Sequence, residues 1–458
     1  MVKFEINQIN YKKLPQLAKV LRSSKVKRIE IEPTHQLENL PKFSEITPFL
    51  YQILDYELFF EIWLRNVPFC VVSSESVDHI LPKDNNFEEK KIKECQNCLW
   101  STRCSGFPLG YFDKYGKSEL KPIKDLPCEV MIEVESRCNF NCQFCFNKIS
   151  FAREGRNIKN LSIDYLKKVV DKIAQAGIEI VRFTGGEPLL RKDIFELIEY
   201  AKNKGLEVRL NTNASLINQK TIKRLKGTLD NILIPIESYS DEKESKITGY
   251  PHSLEKKIEV IRLLKKEKIP VVRVGTVATE ENILNFDKIA QLISKLPLDE
   301  WELYRPIPIS KKRNLDAKSI KSLIEKLINL RKKTKKLIFI ANALPFCSID
   351  DLNKINSVSK GALYDDGHKR LVIDPRGFVK PHYFMDKNIG HPLDILGAWQ
   401  HPFMKKMRNL EYLPKECQDC PFVFKCRGGS RQAAKMVFGS YQALDPLALP
   451  VYKSKINR

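Results

Sequence analysis

Two hydrophobic periods alternate along the middle of the chain. Short runs rich in β-branched residues predict six strands, at residues 129–135, 178–184, 207–211, 231–237, 271–277 and 301–305. Apolar residues spaced three and four apart predict helices between and after them, at residues 163–176, 193–204, 218–226, 254–266, 284–296 and 318–332. Ser162 is a predicted helix cap, and Gly177 and Gly205 are predicted helix ends. This alternation predicts a parallel sheet, in an open barrel or a doubly wound arrangement.

The flanking segments lack this rhythm, so we expect three regions, at residues 1–125, 126–335 and 336–458. In the last region, residues 371–384 predict a hairpin that turns at residues 374–377. Residues 394–411 predict an amphipathic helix.

Composition indicates a globular protein of 458 residues, 43% hydrophobic and 29% charged. We find neither a long apolar run nor a secretory leader, and therefore expect a soluble cytoplasmic protein with no membrane partner. The formal net charge of +22 raises the question of an acidic partner. Because the lysines are dispersed along helix faces, a solvated surface is favoured over a nucleic-acid interface.

The cysteines are more informative than the charge. Nine of the twelve fall into three triplets, which favours metal ligation over disulfides in a chain without a secretory signal. The first and last triplets share the spacing C-x2-C-x5-C, and residues 93–98 (Lys-Glu-Cys-Gln-Asn-Cys) return almost unchanged at residues 415–420.

The central triplet, Cys138, Cys142 and Cys145, has the spacing C-x3-C-x2-C and directly follows the first predicted strand. Active sites of parallel β/α sheets gather at that end of the strands. Three thiolates can hold three irons of a 4Fe–4S cluster and leave the fourth open to an outside ligand. A structural zinc ion would require a fourth protein ligand.

A second motif, Thr-Gly-Gly-Glu-Pro at residues 184–188, follows the second predicted strand. Gly185 and Gly186 would let the backbone approach a ligand closely, and Glu187 could accept hydrogen bonds from a cationic amine.

These two motifs, with Asn-Thr-Asn at residues 211–213 after the third strand, resemble the radical SAM superfamily over about residues 129–307. The resemblance implies an α/β fold: a partial (β/α)6 barrel with a cysteine-containing N-terminal region and a small α+β SPASM/twitch-like C-terminal extension. It further implies an iron–sulfur oxidoreductase that cleaves S-adenosylmethionine (AdoMet) to a 5′-deoxyadenosyl radical, which abstracts hydrogen from a substrate.

Site residues follow from the same resemblance. Cys138, Cys142 and Cys145 would hold the 4Fe–4S cluster, and Phe144 would lie against the adenine. Gly185, Gly186 and Glu187 would receive the amino group of methionine, with Asn213 at the same edge. Many relatives have Ser-Leu-Asp-Gly after the fourth strand, where this chain has Pro-Ile-Glu-Ser at residues 235–238. Glu237 or Ser238 would contact the ribose, or both are ordinary polar residues at a strand end.

The last cysteine triplet lies in a segment that resembles SPASM/twitch extensions, which hold auxiliary Fe–S clusters. Cys417, Cys420 and Cys426 would bind one such cluster, with Cys347 preferred over His382 as the fourth ligand and zinc as the alternative metal. Relatives often have cysteine where this chain has Asp366, His382, Ser430 and Ala448, so a complete pair of auxiliary clusters is not expected there.

The first triplet, Cys95, Cys98 and Cys104, would be completed by Cys70 or Cys128. A second auxiliary cluster and a structural zinc ion both fit this sequence pattern.

The resemblance favours a peptide or protein side chain as the substrate and an electron donor such as ferredoxin or flavodoxin. Alternatives are modification of RNA or of a cofactor precursor. A non-catalytic Fe–S electron carrier or scaffold would account for the cysteines but leaves the Gly-Gly-Glu motif without a role.

Overall fold

The computed structural model describes residues 1–54, 60–72, 79–81, 89–98, 101, 104–123, 125–145, 158–307, 315–334, 336–362, 365–418, 420 and 422–448. The chain divides into two compact units, Met1–Asp125 and Leu126–Arg458. In the described ranges, no helix combines the length and the apolar character that crossing a membrane requires.

The first unit is built on three parallel strands in the order β1-β2-β3. Its elements are β1 (Val2–Ile6), α1 (Leu14–Arg22), β2 (Arg28–Pro33), α2 (Phe43–Leu54), β3 (Glu61–Leu64), the short pair β4 (Glu89–Lys90) and β5 (Phe107–Pro108), and α3 (Tyr111–Tyr115). The sequence analysis missed this β/α alternation. Pro15 lies in the first turn of α1 and Pro48 lies inside α2, so prolines interrupt both helical patterns.

The second unit contains one sheet of nine strands, in the order β12-β11-β10-β9-β8-β7-β6-β13-β14. The strands are β6 (Glu129–Glu135), β7 (Ile180–Gly185), β8 (Glu207–Asn211), β9 (Asn231–Pro235), β10 (Val271–Val277), β11 (Glu300–Tyr304), β12 (Leu337–Ile340), β13 (Arg370–Ile373) and β14 (Val379–Lys380). All neighbours pair in parallel except β13 and β14.

The barrel helices are α4 (Ile163–Gln175), α5 (Ile194–Asn203), α6 (Gln219–Leu225), α7 (Asp241–Thr248), α8 (Ser253–Lys266), α9 (Glu280–Leu284), α10 (Phe286–Ser294) and α11 (Ala317–Lys333). Ser162 caps α4 by accepting a hydrogen bond from the backbone N–H of Tyr165, as predicted. Gly177 and Gly205 have the left-handed backbone expected after a helix end.

All six predicted strands and all six predicted helices of the central region are present. Strands β6 to β12 follow one another in chain order across the sheet, without the reversal that a doubly wound sheet contains. The fold is therefore the partial barrel. The prediction missed α7, α9 and β12, which are short and have weak apolar periodicity.

The C-terminal part adds α12 (Leu352–Val358), α13 (Ile395–Trp399), α14 (Pro402–Arg408), α15 (Val423–Cys426) and α16 (Arg431–Phe438). The predicted hairpin is present as β13 and β14. The single helix predicted at residues 394–411 is wrong. Pro402 opens a new helix capped by His401, because proline cannot donate the backbone hydrogen bond that would continue α13.

A belt of buried charged and polar side chains crosses the barrel interior. Glu129 on β6 is fully buried and accepts hydrogen bonds from Arg182 on β7 at 2.8 and 2.9 Å, with Arg370 of β13 at 2.9 Å and Arg209 of β8 at 3.5 Å. Burial alone would raise the pKa of Glu129, but these three arginines hold it well below its usual range. One carboxylate therefore ties four strands together.

Replacing Glu129 with glutamine should destabilise the metal-free protein by about 3–5 kcal/mol, because the buried Arg182 and the half-buried Arg209 and Arg370 lose their counter-charge. Ionised Glu129 stabilises the fold above the carboxyl pKa of the unfolded chain, about 4.3. Its contribution is lost as the pH falls below that value toward the lower folded-state pKa. We expect the free energy of unfolding of Glu129→Gln to lie below that of the unaltered protein at pH 7, and the difference to shrink as the pH falls to 3. Chemical denaturation of the two proteins across this pH range measures the difference.

Glu207→Gln is the matched control. Glu207 lies at the exposed start of β8 and pairs with Arg209 at 2.6 Å, its side chain 41% exposed. We expect a cost below about 1 kcal/mol, as for other exposed ion pairs. Equal costs for the two variants would contradict the role given to the buried carboxylate.

Candidate functional site

The loop that carries the central cysteines leaves β6 at its carboxyl end and is bound to the end of α7. The backbone N–H of Asn141 donates to Thr248 O at 2.8 Å, and that of Gln143 donates to Ile247 O at 3.0 Å. Phe140 stacks on Tyr250 with ring centroids 4.5 Å apart. These contacts orient the cysteines at the mouth of the barrel.

Gly185 and Gly186 bring the end of β7 against the same loop. A Cβ atom on Gly185 would lie 2.3 Å from Glu135 O, and one on Gly186 would lie 2.1 Å from Arg137 O. The N–H of Gly186 donates to Glu135 O at 2.7 Å, and that of Glu187 donates to Arg137 O at 2.8 Å. The glycines thus permit close contact between two protein backbones, whereas the sequence had indicated approach to a ligand.

The carboxylate of Glu187 is fully buried and spans two loops. Its Oε1 accepts from Leu189 N at 3.0 Å and from Thr212 Oγ1 at 2.7 Å, and its Oε2 accepts from Asn213 N at 2.7 Å. Burial raises the pKa of Glu187 to about 7, although these donors act in the opposite direction. Glu187 therefore anchors the turn after β8 to the end of β7.

Asn213 connects that turn to the cysteine loop. Its Nδ2 donates to Asn139 Oδ1 at 2.8 Å and lies 3.8 Å from Cys138 Sγ. Asn139 in turn donates to Ser215 Oγ at 2.8 Å. The ends of β6, β7 and β8 thus meet around Cys138.

Glu237 and Ser238 are buried just beyond β9. Glu237 Oε2 accepts from Val277 N at 2.8 Å, and its own N–H donates to Glu244 Oε2 at 2.8 Å. Burial and the nearby Glu244 charge raise the pKa of Glu237 to about 8. The charge of Glu237 contributes to raising the pKa of Cys142, so Glu237 lies at the same end of the barrel as the cysteines.

Lys257, which the sequence analysis missed, lies beneath the cysteine loop and is 1% exposed. Its Nζ is 2.5 Å from Glu244 Oε1 and 5.5 Å from the centre of the Phe140 ring. The positive charge of Lys257 opposes the rise that burial causes in the pKa of Cys142. A lysine in a helix of many lysines carries no sequence signal of this role, because its partner is set by tertiary packing.

The central cysteines provide three thiolates on one loop. Three thiolates suffice for a 4Fe–4S cluster with one open iron, whereas a structural zinc ion requires four protein ligands. Burial raises the pKa of Cys142 to about 12 and also raises that of Cys138, so iron must displace protons to bind there. Phe144, before Cys145, is half-buried.

The last triplet gathers around Cys347. Burial is the main cause of the raised pKa of Cys347, and the neighbouring thiols of Cys426, Cys417 and Cys420 raise it further. The backbone N–H of Phe346 donates to Cys426 Sγ at 3.4 Å. These contacts bring Cys347 into one group with the triplet.

His382 has different partners. Its Nε2 is 2.7 Å from Asp365 Oδ1, and its Nδ1 is 4.0 Å from Asp366 Oδ1. Asp366 also accepts from Arg431 N at 2.9 Å, and Ser430 caps α16 through Ala433 N. Three of the positions where relatives often have cysteine are thus joined by hydrogen bonds to other groups.

The first triplet lines one pocket in the first unit together with Cys70. Phe69, Phe107, Leu120 and Pro122 supply its apolar wall. Cys128 lies in the second unit, where its N–H donates to Lys369 O at 2.7 Å.

Residues 132–293 match the Radical SAM superfamily. This segment contains the three cysteines after β6 and the Gly-Gly-Glu turn that packs on their loop. Residues 132–293 form a radical SAM domain. The predicted family is confirmed.

Two curated relatives extend this comparison. The chain is 30% identical over 179 residues to the PqqA peptide cyclase of Bradyrhizobium diazoefficiens, which covers 39% of this chain and 46% of the cyclase. It is 25% identical over 337 residues to the AdoMet-dependent heme synthase of Oleidesulfovibrio alaskensis, covering 69% of this chain and 85% of the synthase. The chain thus spans less than half of the cyclase.

Among solved structures, Streptococcus suis SuiB shares the fold. The form bound to S-adenosylmethionine has a TM-score of 0.57 at 14% identity and covers 71% of this chain and 77% of SuiB. The form bound to the precursor peptide SuiA has a TM-score of 0.56 at 15% identity and covers 70% of this chain and 75% of SuiB.

Replacing Lys257 with methionine should destabilise the metal-free protein by about 3–5 kcal/mol, because Glu244 would be left buried without its partner. The double variant Glu244→Gln/Lys257→Met should recover much of this loss. Denaturant unfolding of the two single variants and the double variant measures the coupling.

The neighbouring Lys256→Met is the control, since Lys256 lies on the surface of α8 and pairs with Glu259 at 3.0 Å. We expect it to cost less than about 1 kcal/mol. If the double variant were as unstable as the sum of its single substitutions, the ion pair would not be the source of the effect.

Proposed function

We propose that this protein is a radical SAM enzyme that removes a hydrogen atom from a peptide or protein side chain. The observation that carries the proposal is the arrangement of Cys138, Cys142 and Cys145 on a loop held at the mouth of the barrel. Three thiolates leave one iron of a 4Fe–4S cluster available to AdoMet. When bound, the cluster supplies the electron that cleaves AdoMet to a hydrogen-abstracting radical.

The chain's own residues position this cofactor. Glu187 and Asn213 hold the ends of β7 and β8 against the cysteine loop, which leaves backbone groups of the Gly-Gly-Glu turn at the cluster edge. Glu237, whose charge acts on Cys142, and the adjacent Ser238 are buried and are our candidates for contacting the ribose.

A peptide substrate is supported by two comparisons. The relative with 30% identity is named a PqqA peptide cyclase, and SuiB, which shares the fold, has been solved with a precursor peptide. A cofactor precursor such as a tetrapyrrole is the second candidate, because the relative named a heme synthase is matched over 85% of its length. Product analysis after incubation with either substrate class distinguishes the two.

We further propose that Cys347, Cys417, Cys420 and Cys426 hold one auxiliary Fe–S cluster. The support is that the thiols of Cys426, Cys417 and Cys420 all act on Cys347, and that the N–H beside Cys347 donates to Cys426 Sγ at 3.4 Å. An all-cysteine cluster suits electron transfer, and we propose ferredoxin or flavodoxin as the donor to the enzyme. Oxygen-sensitive clusters fit the reducing cytoplasm.

Anaerobic reconstitution followed by dithionite and AdoMet should release 5′-deoxyadenosine, which chromatography measures. Cys142→Ala should abolish the release, because the AdoMet-binding cluster loses one of its three thiolates. Cys420→Ala should spare it or reduce it partly, since the auxiliary cluster is a separate site.

Cys128→Ala is the matched control and should release as much 5′-deoxyadenosine as the unaltered protein. No release from the unaltered protein with all its iron in place would refute the enzyme and favour the electron carrier or scaffold.

The fourth ligand of the C-terminal site can be tested by iron content. Cys347→Ser should lose the auxiliary cluster or leave one of its irons without a thiolate ligand. His382→Gln should leave the cluster unchanged, because His382 already pairs with Asp365. Iron and sulfide assays with Mössbauer spectroscopy measure both variants. Retention by Cys347→Ser together with loss by His382→Gln would reverse the assignment.

A further inference from the structure

The first unit contains a four-cysteine pocket of its own. Cys70, Cys95, Cys98 and Cys104 line one space of about 350 Å³, including its opening to solvent. Four thiols that converge on one pocket provide the ligand number that a four-thiolate metal centre requires.

The turn that carries Cys70 is repeated around Cys347. Both cysteines end the tripeptide Pro-Phe-Cys, at residues 68–70 and 345–347. Each tripeptide enters a short 3-10 helix, Phe69–Val71 or Phe346–Ser348, after a proline with nearly the same backbone angles (φ −61°, ψ 135° for Pro68; φ −67°, ψ 131° for Pro345).

The strands before these turns also correspond. Strand β3 pairs in parallel with β2, as β12 pairs with β11. The N–H of the next residue donates to the neighbouring strand at 2.9 Å in both places, Arg65 to Ile31 O and Ala341 to Leu303 O. The last residue of each strand then forms an isolated parallel bridge with a later segment, Leu64 with Ile80 and Ile340 with Ser359.

The triplets receive the same backbone hydrogen bonds. The N–H of Phe69 donates to Cys104 Sγ at 3.4 Å, as that of Phe346 does to Cys426 Sγ at 3.4 Å. A glycine two residues after each of these cysteines, with φ of +74° at Gly106 and +75° at Gly428, directs its N–H at the same sulfur.

The second cysteine of each triplet is held in the same way. Its N–H donates to the carbonyl of the first, Cys98 to Cys95 O at 3.1 Å and Cys420 to Cys417 O at 3.3 Å. The two sites therefore share strand, turn, triplet and N–H···S contacts, far more than the short sequence repeat alone indicated.

We infer that residues 1–125 repeat the architecture that leads into the C-terminal cysteine site, and that Cys70, Cys95, Cys98 and Cys104 bind a 4Fe–4S cluster through four thiolates. Cys70, rather than Cys128, is the fourth ligand. Four thiolates saturate the cluster, so this centre transfers electrons or stabilises the unit and does not bind AdoMet. The inference uses only residues of the first unit and is independent of the proposed reaction.

Zinc is the alternative occupant of this pocket. It differs from the cluster in measurable content, because a zinc site holds one metal ion and no sulfide.

The test uses the full chain with Cys138, Cys142, Cys145, Cys417, Cys420 and Cys426 all changed to alanine. After anaerobic reconstitution with Fe²⁺ and sulfide, it should retain about four irons and four sulfides per chain and show a 4Fe–4S Mössbauer spectrum. Adding Cys70→Ala should leave three thiolates, so the cluster should be lost or should show one distinct iron without a thiolate ligand in the Mössbauer spectrum. Adding Cys128→Ala instead should leave it unchanged.

One zinc per chain without sulfide, or loss of iron with Cys128→Ala but not with Cys70→Ala, would overturn the inference. Cys70→Ala in the otherwise unaltered chain provides a second measurement that does not depend on folding of the multiple variant. Either iron per chain should fall by about four or one iron should lose its thiolate signature in the Mössbauer spectrum, and an unchanged iron content with an unchanged spectrum would refute Cys70 as a ligand. Metal content is read without AdoMet cleavage, so failure of the proposed enzyme activity leaves this test intact.

Discussion

The candidate site depends on one close contact between two backbones. The end of β7 packs so tightly against the residues before the cysteine loop that a methyl group on Gly185 or Gly186 would overlap a carbonyl oxygen. Glu187 then uses both carboxylate oxygens to hold the turn after β8 in place. Without this contact, the cysteine loop would lose its hydrogen bonds to the end of β7, and the turn after β8 would lose the carboxylate that positions Asn213 against Asn139.

Buried charges support this contact from below. Glu129 joins β6, β7, β8 and β13 through arginines, and Arg273 of β10 pairs with Glu302 of β11. Near the cysteine loop, Lys257 and Glu244 form a further buried pair. Replacing such pairs with apolar residues is often neutral for stability, so their value here is in holding a defined strand arrangement around a polar interior.

Local pattern predicted much of this architecture. Strand and helix periods, glycine ends and cysteine spacing all act over a few residues, and each led to the right element or motif. The sequence analysis missed what depends on long-range proximity, such as the buried pair of Lys257 with Glu244 beneath the cysteine loop. It also missed the strands of the first unit, whose helices contain Pro15 and Pro48, and it merged α13 and α14 across Pro402.

The repeated Pro-Phe-Cys turn affects how the stability of the protein responds to oxygen. In the first unit the N–H···S contact joins positions 35 residues apart, and in the second it joins positions 80 apart. A metal centre at either place cross-links its segment and lowers the entropy of the unfolded chain, as a disulfide would. Oxidative loss of such a centre would therefore destabilise the surrounding loops and expose them to proteolysis. The lifetime of the chain would then depend on the oxygen level around it.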